Sequence, residues 1–479
     1  MASTNCWRCL ARPSQRLFVS TSIISLPTSS AAFSTSTQLA VVAKPTETGM
    51  SRHVRSGKRL ILGRKKRTPD KAKPPGPGER KAFRKRIQLR NDNALEVRGL
   101  GEFTVEKAVD PDAVGQVVGI PEAVVDQLRT CEAFKPTQNW KLFRSPHMLI
   151  RDETVDLAKQ MTDAIAKKET LRMVITGDRG SGKSILGLQA LSIGFLNKWV
   201  VINIPEGQEL TTAMTEYSQM PNSELFSQPV YAVKLMQAIH STNQPILSRC
   251  RVELDHMHLP VAVSRNMSLA TLLGLTKEPE FAWPVFQSFW KELLLPGRPP
   301  VLFALDGLAH VMRVSDYRSP SFQLIHSHDL ALVRMFADGL GGKTRFPNGA
   351  VVLGVTSKGN APLIPSMDLA LDQAAALQER QQRRASSPDD KVEVEIPARD
   401  PFYRRYDERV FDALRGVRVL DVYGVSKPEA RALMEYWAAS GLVRLRVDEK
   451  NVAEKWTLAG GGLLGEMERS ALYDIRVPA

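Results

Sequence analysis

Four stretches of the chain are apolar at most positions and about strand length: 171–176 (LRMVIT), 199–204 (WVVINI), 300–305 (PVLFAL) and 350–355 (AVVLGV). Such runs are rich in β-branched residues and lack polar alternation, so they predict strands buried on both faces of a parallel sheet. Between the first two lies 185–196 (ILGLQALSIGFL), apolar on most faces, which predicts a helix packed directly against that sheet. Ahead of the first strand, Val155, Leu157, Met161 and Ile165 follow Asp152, a candidate cap, and predict another helix. Residues 96–150 predict an irregular extension with short strands and a helix around 121–128, and 371–390 a helix that passes into a loop.

Near the C-terminus, Ser426 and Glu429 have capping-box spacing ahead of 430–439, and Gly441 stops that helix. The apolar positions in 443–447 and 452–458 then predict a hairpin, so this part reads as a small helical or winged-helix-like lid. The expected organisation is a basic N-terminus in two parts (1–46 and 47–95), an extension (96–150), an α/β core (151–392) and the lid (393–479).

Composition narrows the classes. The chain has 479 residues, 43 % hydrophobic and 24 % charged, which excludes a disordered whole and a collagen-like chain. No apolar run approaches the roughly 18–20 residues that a membrane-spanning helix needs. Cys6, Cys9, Cys131 and Cys250 are too few and scattered for a disulfide framework and fit a reduced compartment.

The net charge of +14 is concentrated: residues 1–90 hold 20 Lys/Arg and 3 acids, leaving the rest slightly acidic. Residues 1–46 contain no acid, are dense in Ser, Thr and Ala, and carry Arg8, Arg12, Arg16 and Lys44. That is the composition of a mitochondrial transit peptide, with cleavage expected near 32–34, and Cys6 and Cys9 fall inside the segment to be removed. Residues 51–90 carry 16 Lys/Arg against two acids, interrupted by 74–78 (PPGPG), so no continuous helix forms there. A flexible arm of this kind suits phosphate neutralisation on nucleic acid, the alternatives being a solvated linker or a nuclear-localisation patch.

The most specific motif is Gly177-Asp178-Arg179-Gly180-Ser181-Gly182-Lys183-Ser184, which matches G-x-x-x-x-G-K-[ST] between a buried strand and a helix. That context aims backbone N–H groups and a helix N-terminus at phosphate oxygens, with Lys183 reaching the β- and γ-phosphates and Ser184 ligating Mg²⁺. The second magnesium ligand is expected at the end of a neighbouring strand, where Asp306 stands; the alternative is an Asp capping a strand-to-loop turn. Thr356 and Ser357 follow another strand and either sense a γ-phosphate or form a polar turn.

The catalytic equipment is thin. Asp306 is followed by Gly307, which has no side chain to polarise an attacking water, and no Asn-Lys-x-Asp element reads a guanine base. Slow turnover at most is expected, and base specificity does not follow from the residues. Gly341-Gly342-Lys343-Thr344 lacks the strand and upstream glycine of a P-loop and reads as a surface turn. The pairs His256/His258 and His326/His328 lack the further ligands of a zinc site. No G-x-S-x-G context supports a hydrolase.

The transit segment, basic arm, G-D-R-G-S-G-K-S motif, L-D-G at Asp306 and the terminal S-K-P-E-A-R-A-L-M-E-Y-W-A-A-S-G-L segment together resemble the death-associated protein three family. Its members are proteins of the mitochondrial small ribosomal subunit. The resemblance covers about residues 100–479 and implies an AAA+-related P-loop NTPase core. It also implies a place in the subunit head near the intersubunit face, in the matrix, beside small-subunit rRNA, other mitochondrial ribosomal proteins and the large subunit. The implied ligand is GTP or GDP (ATP being possible) with Mg²⁺: phosphates at Gly180, Ser181, Gly182 and Lys183, the metal at Ser184 and Asp306. Two other classes stand beside this one: a matrix AAA+-type ATPase, disfavoured by Gly307, and a P-loop signalling switch in cell death, which would not require the arm.

Overall fold

The computed structural model describes residues 87–473 apart from 222, 360 and 387–393. The transit segment and the basic clusters of the arm as far as residue 86 lie outside the described residues. Five strands build one parallel sheet: β1 (Thr170–Gly177), β2 (Val200–Ile204), β3 (Val301–Asp306), β4 (Ala350–Val355) and β5 (Arg418–Val422). Their spatial order is β5-β1-β4-β3-β2. Every residue of β2 and β4 is buried, which accounts for the unbroken apolar runs.

The longer helices are α1 (Glu122–Thr130), α2 (Asp152–Ala166), α3 (Lys183–Leu196), α4 (Pro229–Leu247), α5 (Pro279–Leu293), α6 (Ala331–Leu340), α7 (Pro365–Ser386), α8 (Lys427–Ala439), α9 (Glu449–Leu458) and α10 (Leu464–Leu472). Successive strand residues point to opposite faces. Val351, Leu353 and Val355 of β4 join a core with α1, α2 and α3, whereas Ala350 and Val352 join another with α4, α5 and α6. The core is thus a doubly wound P-loop-type α/β sheet. Among the described residues no helix is long and apolar enough to cross a membrane.

Register positions the site. Val355 pairs with Ile175 of β1 on one side and Asp306 of β3 on the other, so Gly177, Asp306 and Thr356 emerge together at the C-terminal edge. Ligands collect at this edge in open α/β sheets.

Four expectations change. β5 pairs in parallel with β1, so the sheet runs past residue 392 to Val422. The expected hairpin is absent, because 452–458 is the body of α9: Asp448 accepts a hydrogen bond from Asn451 N (2.8 Å), and the buried Val452 and Lys455 are one helical turn apart. The C-terminal unit is therefore helical, with Leu433, Trp437, Val452 and Met467 in a core that it shares with Phe143 and Leu149 of the extension. Residues 87–95, expected in the flexible arm, are docked: Leu89 is buried and Asn91 N donates to the Phe143 carbonyl (3.0 Å). Finally, Asp152 is the first residue of α2 rather than its cap, and the Arg151 N–H donates to Thr154 Oγ1 (3.1 Å).

Candidate nucleotide-binding site

The turn from β1 into α3 is shaped by glycines. Gly177 has φ +136°, and a Cβ there would stand 2.3 Å from the Val422 carbonyl oxygen of β5. Gly182 caps α3 in the left-handed region, with φ +106°. The unsatisfied N–H groups of the first turn of α3 therefore open onto the loop. Lys183 closes the loop from within, its Nζ donating to the carbonyls of Gly177 (2.8 Å) and Asp178 (2.5 Å). Burial, followed by the nearby Lys358 charge, lowers the Lys183 pKa to about 8. Asp178, Arg179 and Gly180 are exposed on the rim, where Lys358 Nζ lies 3.4 Å from Asp178 Oδ1. Ser181 Oγ is buried without a hydrogen-bond partner, as expected of a group waiting for an acceptor such as a phosphate oxygen.

Ser184 Oγ donates to Asp306 Oδ2 at 3.0 Å, joining the two residues expected to hold magnesium. Asp306 Oδ1 is buried without a partner. A hydroxyl beside a carboxylate with an unsatisfied oxygen fits a hard divalent cation, and it argues against Asp306 as a mere turn cap. Lys135, from the N-terminal extension, forms an ion pair with Asp306 Oδ2. Thr356 is committed to structure: its N–H and its Oγ1 both donate to the Ile175 carbonyl, at 3.0 and 3.1 Å. Ser357 lines the cavity beyond it.

The cavity above these residues measures about 1070 Å³, ample for a nucleotide. Its far walls come from Asn139 and Trp140 of the extension and from Gly465 and Glu468 of α10. The α10 helix rests directly on the P-loop, Gly465 N donating to the Gly180 carbonyl at 2.9 Å. Arg151 ties the parts together, donating to the Ser181 carbonyl (3.1 Å), the Tyr423 carbonyl (2.9 Å) and Glu153 Oε1 (2.9 Å).

Sequence reasoning names Gly177–Ser184 and Asp306, and the fold brings them all to one edge. It misses Lys135, Asn139, Arg151, Lys358 and Glu468, none of which belongs to a local motif. It also misses Glu206, an acid after β2 that lines the same cavity although Gly307 provides none. The other candidates lie elsewhere. His256 Nε2 pairs with the buried Glu292 (3.0 Å), which also binds Arg298, and His326 pairs with Asp407 (3.0 Å). Gly341 to Thr344 form the turn after α6, where Lys343 N and Thr344 N donate to the Asp338 carbonyl.

The profile of the family described as "Mitochondrial ribosomal death-associated protein 3" matches residues 148–470, which include the P-loop, Asp306 and most of α10. The small ribosomal subunit protein mS29 of Neurospora crassa is 48 % identical over 99 % of this chain and 100 % of its own. The protein of the same name from Schizosaccharomyces pombe is 22 % identical over 77 % of this chain and 74 % of its own. A Walker-type ATPase of Pyrococcus abyssi superposes with a TM-score of 0.31 at 15 % identity, over 66 % of this chain and 65 % of that one. By the extent of the profile match and of the Neurospora alignment, the chain belongs to the mitochondrial ribosomal death-associated protein 3 family.

Proposed function

We propose that this protein is a structural component of the mitochondrial small ribosomal subunit, seated in the head, that holds a guanine nucleotide with Mg²⁺ and contacts rRNA through its basic arm. Full-length similarity to a protein named for that subunit supports the ribosomal role and the matrix location. The acid-free N-terminus is consistent with import, and the 16 Lys/Arg of residues 51–90 supply charge suited to rRNA phosphates. Neighbouring ribosomal proteins, and the large subunit across the intersubunit face, are the expected protein partners.

The observation that carries the nucleotide reading is the 3.0 Å bond from Ser184 to Asp306 beside a P-loop closed by Lys183. Gly180, Ser181, Gly182 and Lys183 would hold phosphates, and Ser184 and Asp306 the metal. A bound nucleotide would supply a multivalent anion to a cavity lined by the core, the N-terminal extension and α10. Lys183 would exchange its loop carbonyls for phosphate oxygens, while Arg151 ties Tyr423 to the loop carbonyl of Ser181. Gly307 leaves β3 without a water-polarising acid of its own and Glu206, just after the neighbouring strand β2, is the acid nearest that role, so the nucleotide is read as serving assembly with slow turnover at most.

Two measurements test this. The protein should sediment with the small subunit when a mitochondrial lysate is run through a sucrose gradient; recovery at the top of the gradient would refute the ribosomal role. Nucleotide extracted from purified subunits should be guanine-based and should vanish in Lys183→Ala; unchanged occupancy would refute the site.

A further inference from the structure

The cavity contains an acid that phosphate binding does not use. Glu468 lies one turn into α10, three residues after the Gly465 N–H that docks on the P-loop carbonyl of Gly180. Its Oε2 accepts a hydrogen bond from Asn139 Nδ2 at 2.7 Å, and Asn139 Oδ1 in turn accepts one from the Tyr473 hydroxyl at 2.7 Å. That relay fixes which way Asn139 faces and so orients the carboxylate. A carboxylate offers about four acceptor sites and no donor, and Asn139 takes one of them. The hydrogen-bond partner of Glu468 is an amide rather than a cation, and burial holds its carboxyl above the ordinary glutamate range. Such an acid in a cleft is a functional candidate on physical grounds. Beside Asn139, Trp140 and Phe143 pack edge-on against His147, with ring centroids 5.9 and 4.4 Å away. Nδ1 of this buried His147 has no hydrogen-bond partner. Trp140, Phe143 and His147 line the same cavity, so the wall beside Asn139 is largely apolar with a polar atom to satisfy, a lining suited to a heterocyclic ligand.

We infer that Glu468, oriented by Asn139, is the base-reading residue of this site, its carboxylate accepting the N1–H and the 2-amino hydrogens of guanine. Adenine presents a lone pair at N1, which a carboxylate repels. The inference rests on the guanine-nucleotide reading proposed above and assigns its specificity to α10 of the C-terminal unit rather than to a loop of the core.

The test is equilibrium titration of the full-length chain with fluorescently labelled GDP, ADP and XDP. The unmodified chain should prefer GDP to ADP by at least ~100-fold, as sites built around a substrate's donors do. In Glu468→Gln the amide nitrogen donates to the 2-oxo group of xanthine while its oxygen accepts N1–H, so XDP should bind about 10-fold or more tighter than GDP. Glu468→Ala should bring GDP down towards ADP. A Glu468→Gln chain that keeps its GDP-to-ADP ratio and gains no XDP affinity would overturn the assignment, yet leave the phosphate site intact provided Lys183→Ala still abolishes binding. Equal losses of GDP and ADP in both variants, with unchanged circular dichroism, would also overturn it by reducing Glu468 to a structural strut. If the unmodified chain binds neither GDP nor ADP, the nucleotide reading itself fails.

Discussion

Lys135 Nζ forms an ion pair with Asp306 Oδ2, the same oxygen that accepts the Ser184 hydroxyl at 3.0 Å. Both side chains are largely shielded, at 23 % and 12 % exposure, so the ammonium stands where a divalent cation would be expected to stand. A cation built into the chain would do part of the work of a metal in neutralising phosphate charge. Lys135→Met should therefore weaken GDP binding by at least ~10-fold in the presence of EDTA, a loss well within one partly shielded charge. With saturating Mg²⁺ the loss should be smaller. Titrations of GDP with and without Mg²⁺ check this, and equal losses in both conditions would show that Lys135 does not share the role of the metal.

Gly177 holds β5 and the P-loop in register. A Cβ there would meet the Val422 carbonyl oxygen at 2.3 Å on a backbone with φ +136°, and its three nearest atoms all belong to the Val422 main chain, which cannot yield cheaply. Gly177→Ala should destabilise the protein by about 2–4 kcal/mol in denaturant titrations and release β5 from the sheet edge. Gly180→Ala is the control. Its Cβ finds nothing nearer than 3.7 Å, so only the cost of φ +81° remains, roughly 1–2 kcal/mol.

The two substitutions also mark what could be read in advance. The strands β1 to β4 are legible because burial on both faces demands an unbroken apolar run, and the P-loop because phosphate binding is built from neighbours in sequence. Strand β5 is not, since an edge strand of five residues with Arg418 exposed and Asp421 half-buried carries little pattern. The α9 segment misleads for a different reason: Val452, Trp456 and Leu458 suit a strand by residue type, and only the cap from Asp448 decides for the helix. The rest of the site depends on tertiary convergence. Asn139 and Glu468 are 329 positions apart and meet at 2.7 Å, so no local spacing could announce them.

His328 makes stability depend on pH. It is buried, and burial followed by the adjacent His326 and Arg334 charges pushes its pKa down to about 3. The unfolded chain takes up this proton below about 6.5, whereas the folded chain does so only near 3. The unfolded state therefore binds more protons throughout that window, and stability is full above 6.5 and falls as pH drops towards 3. The slope reaches at most about 1.4 kcal/mol per pH unit for this group, and His147, lowered to about 4 by burial, adds to it. Urea melts at pH 7.5, 5.5 and 4.5 should show the decline, and His328→Gln should flatten it. An unchanged slope in that variant would show that His328 does not titrate in this range.

Arg151 joins three parts of the molecule that are far apart in sequence. Its guanidinium donates to Ser181 of the P-loop (3.1 Å) and to Tyr423 beyond β5 (2.9 Å), and it pairs with Glu153 (2.9 Å) and, at 4.0 Å, with Glu429 of α8. Side-chain exposures of 10, 15 and 7 % for Arg151, Glu153 and Glu429 place these charges out of bulk water. Arg151→Met leaves two shielded carboxylates without their cation, for which a loss of about 3–5 kcal/mol is typical. Arg151→Lys should recover little, because a single ammonium cannot serve carbonyls and carboxylates in several directions as a planar fork does. Adding Glu153→Gln to Arg151→Met should restore part of the stability by removing one stranded charge. It should not restore the seating of the C-terminal unit, because the bonds to Ser181 and Tyr423 remain missing. Labelled GDP should therefore leave both the single and the double variant faster than the unmodified chain. If stability falls while the release rate is unchanged, Arg151 supports the fold without coupling the C-terminal unit to the nucleotide.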